Sequence, residues 1–219
     1  MLPVGLHVDG DEIAPLREGY ELHWHGDDDP PHYFFSAQVS VLRLERLVRA
    51  ALHALPPLCH AVLEVRRSDE ELDKDPDGPT VDRWVSDLVA RSEIVAVFER
   101  YRFALLHDGM AGFGAYDPES PLEVFLDDHK LLSLYAPTME PFEQLLGAHR
   151  VPYVKDLRTL LDFDHEHHTL PAVPDRCRVP RARALRRQRL DVRWFGPAIR
   201  RRLAMQLEPQ YQDDDADGQ

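Results

Sequence analysis

The sequence predicts an α+β domain in which helices pack on a mainly antiparallel sheet. Strand and helix patterns alternate through the first hundred residues, and three short strands joined by tight turns come next. The resulting order, β-α-β-β-α-β followed by β-β-α, is that of ferredoxin-like folds carrying an extension.

Residues 1–19 are polar and broken by Pro3, Gly5, Gly10 and Pro15, which reads as a loosely structured lead-in. Residues 20–25 form a short strand, closed by Gly26, three aspartates and Pro30-Pro31. Next, Tyr33, Phe35, Ala37 and Val39 share one face at period two, so this strand is half buried and Phe34, on the other face, needs cover. Ser40 is placed to cap a helix whose apolar stripe is Leu44, Leu47, Val48, Ala51, Leu52 and Leu55. Pro56-Pro57 stops it. Ala61, Leu63 and Val65 then alternate with His60, Glu64 and Arg66 as a second strand, and residues 68–79 read as an acidic loop.

Val81, Trp84, Val85, Leu88 and Val89 fit a helix, yet residues 81–86 are strand-like in composition, and we read them as extended. Ser92 is the expected cap of the next helix, with Ile94, Val97, Phe98, Tyr101 and Leu105 inward and Gly109 as its end. Strands are expected at 111–116, 122–127 and 131–136, the last two joined by the Asp127-Asp128-His129-Lys130 turn. A helix opens at Thr138 with Pro141 in its first turn, one more short element lies within 151–163, and a histidine-rich loop follows.

Charge divides the chain differently. Residues 1–174 hold 32 acidic and 15 basic side chains, whereas residues 175–202 hold eleven arginines and two aspartates. The domains expected are therefore the lead-in at 1–19, an acidic α+β domain at 20–174, an arginine-rich arm at 175–205 and a disordered acidic tail at 206–219. An acidic body repels phosphate backbones and attracts basic partners. The longest apolar run is about five residues, far from the roughly 20 that span a bilayer, so no membrane segment is expected. Neither a signal peptide nor a disulfide pattern is visible in the first ten residues or in the lone Cys59 and Cys177, which makes a reducing cytoplasm the expectation.

The histidines are the chief candidates for chemistry. His23, His25 and His32 form one cluster and His165, His167 and His168 another; a His-x-His pair on a strand places both imidazoles on one face. A shared metal site built from His23, His25, His165 and His167 would suit zinc, iron or nickel, with Asp27, Asp162, Asp164 and Glu166 as oxygen donors. Neither cluster matches a specific motif, so loop histidines are the plainer reading and no stoichiometric metal is the expectation. Asp127, Asp128 and His129 could do acid–base work, but aspartates are also what tight turns select. Gly109, Gly112 and Gly114 lack the lysine and helix of a phosphate loop, and no nucleophile motif surrounds Ser36, Ser40, Ser133 or Cys59.

Arginines of the arm suit either phosphates or carboxylates. Because a body of net charge −17 opposes phosphate approach, Arg186, Arg187, Arg200 and Arg201 are expected to pair with acidic residues of their own chain, of a second copy or of a partner. Together these features lead to a non-catalytic cytoplasmic interaction module that binds a basic protein, in the manner of an inhibitor, immunity-type antagonist or assembly adaptor. A metal-dependent enzyme using the histidines and a nucleic-acid-binding accessory protein using the arm are the alternatives.

Overall fold

The computed structural model describes residues 2–3, 5–8, 16–28, 31–170 and 192–209. Its strands are β1 (Leu6–Val8), β2 (Gly19–His25), β3 (His32–Gln38), β4 (Leu58–Arg66), β5 (Val81–Ala90), β6 (Ala111–Asp117), β7 (Leu122–Leu126), β8 (Leu132–Ala136), β9 (His165–His167) and β10 (Gln206–Leu207). The helices are α1 (Val41–Ala54), α2 (Asp69–Lys74), α3 (Arg91–His107), α4 (Glu140–Ala148) and α5 (Val192–Arg202). Eight strands make one sheet in the order β10-β5-β4-β6-β7-β8-β3-β2, every neighbouring pair antiparallel, and β1 pairs with β9 separately. This is the α+β class that the element pattern predicts. In the first β-α-β unit, β3 and β4 run parallel with β8, β7 and β6 between them.

One face of the sheet packs on the helices. Phe35, Leu63, Phe113, Val124 and Leu134 from the strands meet Leu44, Leu47 and Leu52 of α1, Phe98 of α3 and Phe142 of α4, all at most 1% exposed. The spacing of the α1 stripe at three and four residues is what keeps those leucines on one side. On the opposite face Phe34 finds its cover in Tyr135, with ring centroids 4.7 Å apart. The ambiguous segment at 81–89 is strand β5, because the bulged edge of β4 needs a partner along its whole length. At Gly114 a side chain would run into the Val124 carbonyl and the Phe125 ring, so β6 can approach β7 only without a Cβ there.

Several local expectations are corrected. Ser92 lies inside the first turn of α3, whose cap is Ala90, and the helix ends at Asp108 rather than at Gly109. The acidic loop contains α2, opened by a reciprocal Ser68–Glu71 capping box. Met139 rather than Thr138 precedes α4. The lead-in and the histidine-rich loop contribute β1 and β9, two strands that neither composition announced. Gln206 and Leu207, assigned by charge to the tail, pair with Val85 and Trp84 at the edge of the sheet.

Residues 192–205 join the core. Val192, Phe195 and Ile199 recur at helical spacing and are at most 2% exposed, followed by buried Leu203 and Met205. The Phe195 ring stacks with Tyr101, and the Arg200 guanidinium lies 4.0 Å from the centroid of the Trp84 ring. No helix among the described residues is long and apolar enough to cross a membrane.

Candidate metal centre

The turn between β7 and β8 is built by its aspartate. The Leu131 N–H donates to Asp127 Oδ1 at 2.8 Å, and Lys130 takes a left-handed φ of 63° to close the turn. Lys130 then points inward, 3% exposed, donating to the carbonyls of Ala111 and Asp127. Burial pulls its pKa down to about 8, against the pull of Asp108, Asp127 and Asp128. Asp108 is fully buried and accepts from the Met110 and Leu170 N–H groups at 3.0 and 3.1 Å. Hairpin tip, α3 terminus and residue 170 are thereby held together, and His129 is fixed at the tip.

A backbone crossing brings β9 to the same place. The Gly5 N–H donates to the His107 carbonyl, the Gly109 N–H to the His168 carbonyl and the His168 N–H to the Gly5 carbonyl, at 2.7 to 3.0 Å. A Cβ on Gly109 would collide with the Gly5 carbonyl, so the three segments meet only because glycines stand there. Alternation along β9 turns His165 and His167 to one side. His167 Nδ1 then donates to the Gly109 carbonyl at 2.5 Å, and His165 Nδ1 to the Phe163 carbonyl at 2.8 Å.

Three imidazoles converge: His129, His165 and His167 each offer a ring nitrogen, all within 4.8 Å of one another. Their ring centroids are 5.0, 4.7 and 5.0 Å apart. With metal–nitrogen bonds of 2.0–2.1 Å, a centroid sits about 3.2 Å from the ion, so three rings at tetrahedral positions have centroids about 5.2 Å apart. The match is close. His165 Nε2 and His167 Nε2 also face each other at 3.1 Å. Carbonyls can only accept, so each Nδ1 carries a proton and each neutral ring turns a lone pair toward the other. A cation between them, either a proton or a metal ion, removes that repulsion. Burial pushes His167 down to about 4, which disfavours the proton on that ring.

Asp128 orients the third histidine. Its carboxylate lies 2.9 Å from His129 Nδ1 and pairs with Arg66, while Asp127 stands 3.4 Å from the same nitrogen. Burial works against charge on His129, but the hydrogen bonds and charges of the two aspartates outweigh it and hold the ring up at about 9, so a metal ion at its other nitrogen would displace a proton from it. Burial likewise opposes the Asp128 carboxylate, and His129 and Arg66 overcome it, holding its pKa well below the usual carboxylate range. Nδ1 anchored by a carbonyl or a carboxylate is the outer-shell arrangement that fixes ring orientation in metal-bound histidines.

The four-histidine site expected from sequence is not formed. His25 pairs with His32 where β3 starts, next to Tyr33 opposite Ala136, whereas the turn carrying His129 precedes Leu132, opposite Ala37. Four strand residues, about 13 Å, separate those ends. His23 and His25 remain at the far end, His23 stacking on Phe34, and His165 and His167 take His129 instead. His129 was legible as part of a turn and of an acid–base group, the Asp-Asp-His run being its signal, and what made it a candidate ligand was the arrival of β9. Cys59 is fully buried and its thiol is pushed up to about 11, which removes it as a nucleophile. Arg200 lies on the Trp84 ring, Arg201 is exposed, and Arg202 beside them pairs with Glu93 at 2.8 Å. Arg186 and Arg187 lie outside the described residues.

No known family, curated protein or solved structure matches this chain.

Proposed function

We propose that this chain is a metal-binding protein in which His129, His165 and His167 hold one divalent transition metal, zinc foremost. The carrying observation is the convergence of three imidazole nitrogens within 4.8 Å of one another, two of them 3.1 Å apart. Three histidines leave a position for water, the ligand set of catalytic rather than structural zinc sites, and a metal-bound water with a pKa near 7 supports hydrolysis or hydration. Asp128 serves as the outer-shell carboxylate and the Gly109 carbonyl as its counterpart on His167. The acidic interaction module expected from composition has net charge as its support, a property of many solvated surfaces. The histidine convergence, in contrast, is a specific arrangement of ligand atoms.

The test is elemental analysis and zinc titration of the purified chain. One zinc equivalent that disappears in both His165→Ala and His129→Ala is the expected result. Retention of every bound equivalent in the two variants refutes the proposal, as does failure of the folded wild-type chain to bind zinc.

A further inference from the structure

The face of the sheet away from the helices has a cleft of about 440 Å³ walled by Tyr116, Leu122, Glu123 and Tyr135. That volume lies within the range of sites for small molecules, roughly 300–1,000 Å³. At its rim stand Asp28 and His32, with His25 beside them. His25 and His32 are directly opposed on β2 and β3, and their rings stack at 5.1 Å with planes 8° apart. Aromatic packing holds them: Phe34 meets His25 edge-on, and Tyr135 lies 5.4 Å from His32.

Asp28 Oδ2 lies 3.6 Å from His25 Nδ1 and 3.8 Å from His32 Nε2. Those distances are too long for hydrogen bonds. They are close to what a shared ion requires, since donors bound at 2.0–2.2 Å lie about 2.9–3.4 Å apart on an octahedral or tetrahedral edge. The three donor atoms lie within 4.8 Å of one another, and rotation of the half-exposed His25 ring out of its stack on His32 turns both in-plane lone pairs toward one ion beside Asp28. Asp117 and Glu123 in the same cleft add negative charge that favours a divalent cation there.

We infer that His25, Asp28 and His32 form a second divalent-metal site, whose remaining coordination positions face the cleft and take a small oxygen-donor ligand. Two histidines and one carboxylate on one side of an ion leave adjacent positions open, the arrangement suited to iron(II) and to its spectroscopic substitute cobalt(II). Tyr116 and Tyr135 flank such a ligand, and Glu123, paired with both across the sheet, forms the floor between them. This site stands apart from the three-histidine centre at the other end of the strands, and neither depends on the other.

The experiment is a cobalt(II) titration of His165→Ala, in which the first centre is removed, followed calorimetrically and by visible absorption. One cobalt per chain is expected, with affinity reduced more than about 10-fold by Asp28→Asn or His32→Ala, since even outer-shell changes cost that much. Asp28 is 55% exposed at its side chain, so its substitution is compatible with folding, and circular dichroism verifies this. Acetohydroxamic acid, a bidentate oxygen chelator, should shift the cobalt absorption, and Glu123→Trp, which fills the cleft between Tyr116 and Tyr135, should abolish that shift while cobalt still binds. Should His165→Ala fail to fold, the wild-type chain is titrated instead and one of two cobalt equivalents is lost in Asp28→Asn. Absence of cobalt binding in folded His165→Ala, or binding indifferent to Asp28→Asn, overturns the site. A hydroxamate shift that survives Glu123→Trp overturns its connection to the cleft.

Discussion

Phe195→Ala tests whether α5 belongs to the cooperative core. Phe195 is fully buried, seated between Val192 and Ile199 and stacked on Tyr101 of α3 at 6.3 Å. A buried phenylalanine removes at least about 150 Å² from water, worth roughly 4 kcal/mol at 25 cal/mol per Å². Measured phenylalanine-to-alanine changes in cores cost about 3–5 kcal/mol, cavity included, which agrees. For a chain of this size each kcal/mol moves Tm by about 2–4 °C, so the expected loss is at least about 6 °C. Urea unfolding followed by circular dichroism gives the free energy, and amide exchange shows whether α3 and β4 lose protection with α5. A cost below about 1 kcal/mol, or exchange that rises in α5 alone, would mean that α5 is only laid against a domain that is complete without it.

Gly109→Ala should cost about 1–3 kcal/mol by forcing the Gly5 crossing apart, and should weaken zinc binding as well, because the Gly109 carbonyl holds His167. Zinc affinity unchanged in a destabilised Gly109→Ala chain would count against that carbonyl as a positioning group. Asp108→Ala leaves the Met110 and Leu170 N–H groups without their acceptor and removes one of the three negative charges that favour the buried Lys130 ammonium, and should destabilise by about 1–3 kcal/mol, read from urea midpoints. Burial, with a lesser contribution from Lys130, pushes His107 down to about 4 from an ordinary value of 6.5. The unfolded chain therefore binds a proton that the folded chain refuses: the effect is nil above pH 6.5 and grows to roughly 3 kcal/mol of lost stability as pH falls to 4. Unfolding curves across that window should flatten in His107→Gln, and identical slopes in the two proteins would rule His107 out as the cause. Ser86→Ala should cost about 1–3 kcal/mol, since the buried Ser86 hydroxyl accepts from the Ala61 N–H at 2.8 Å at the bulge of β4.

Periodicity was sufficient wherever a segment buries one face against something of any shape. Leu44, Leu47 and Leu52 on α1, Leu63 on β4, Phe98 on α3, Val124 on β7 and Leu134 on β8 were expected in the core and are all at most 1% exposed. The turn at Asp127–Lys130 was equally legible, because an aspartate accepting from its own turn is a local interaction. Short pieces were not. The strands β1, β9 and β10 have three, three and two residues, too few for a pattern, and each exists because a partner supplies its hydrogen bonds. Charge misled at residues 192–205 because eleven arginines within 175–202 hide the apolar spacing of Val192, Phe195 and Ile199.

By itself the sequence determined the α+β class, the main helices and strands and the acidic character of the body, since each depends on residues near one another along the chain. Only the tertiary structure decided which histidines meet. His129 and His165 are far apart in sequence, and their rings come within 5.0 Å because Gly5, Gly109 and His168 exchange backbone hydrogen bonds at one crossing. No local propensity encodes such a contact: it is fixed by where the strands stop and by which backbones can approach without a Cβ.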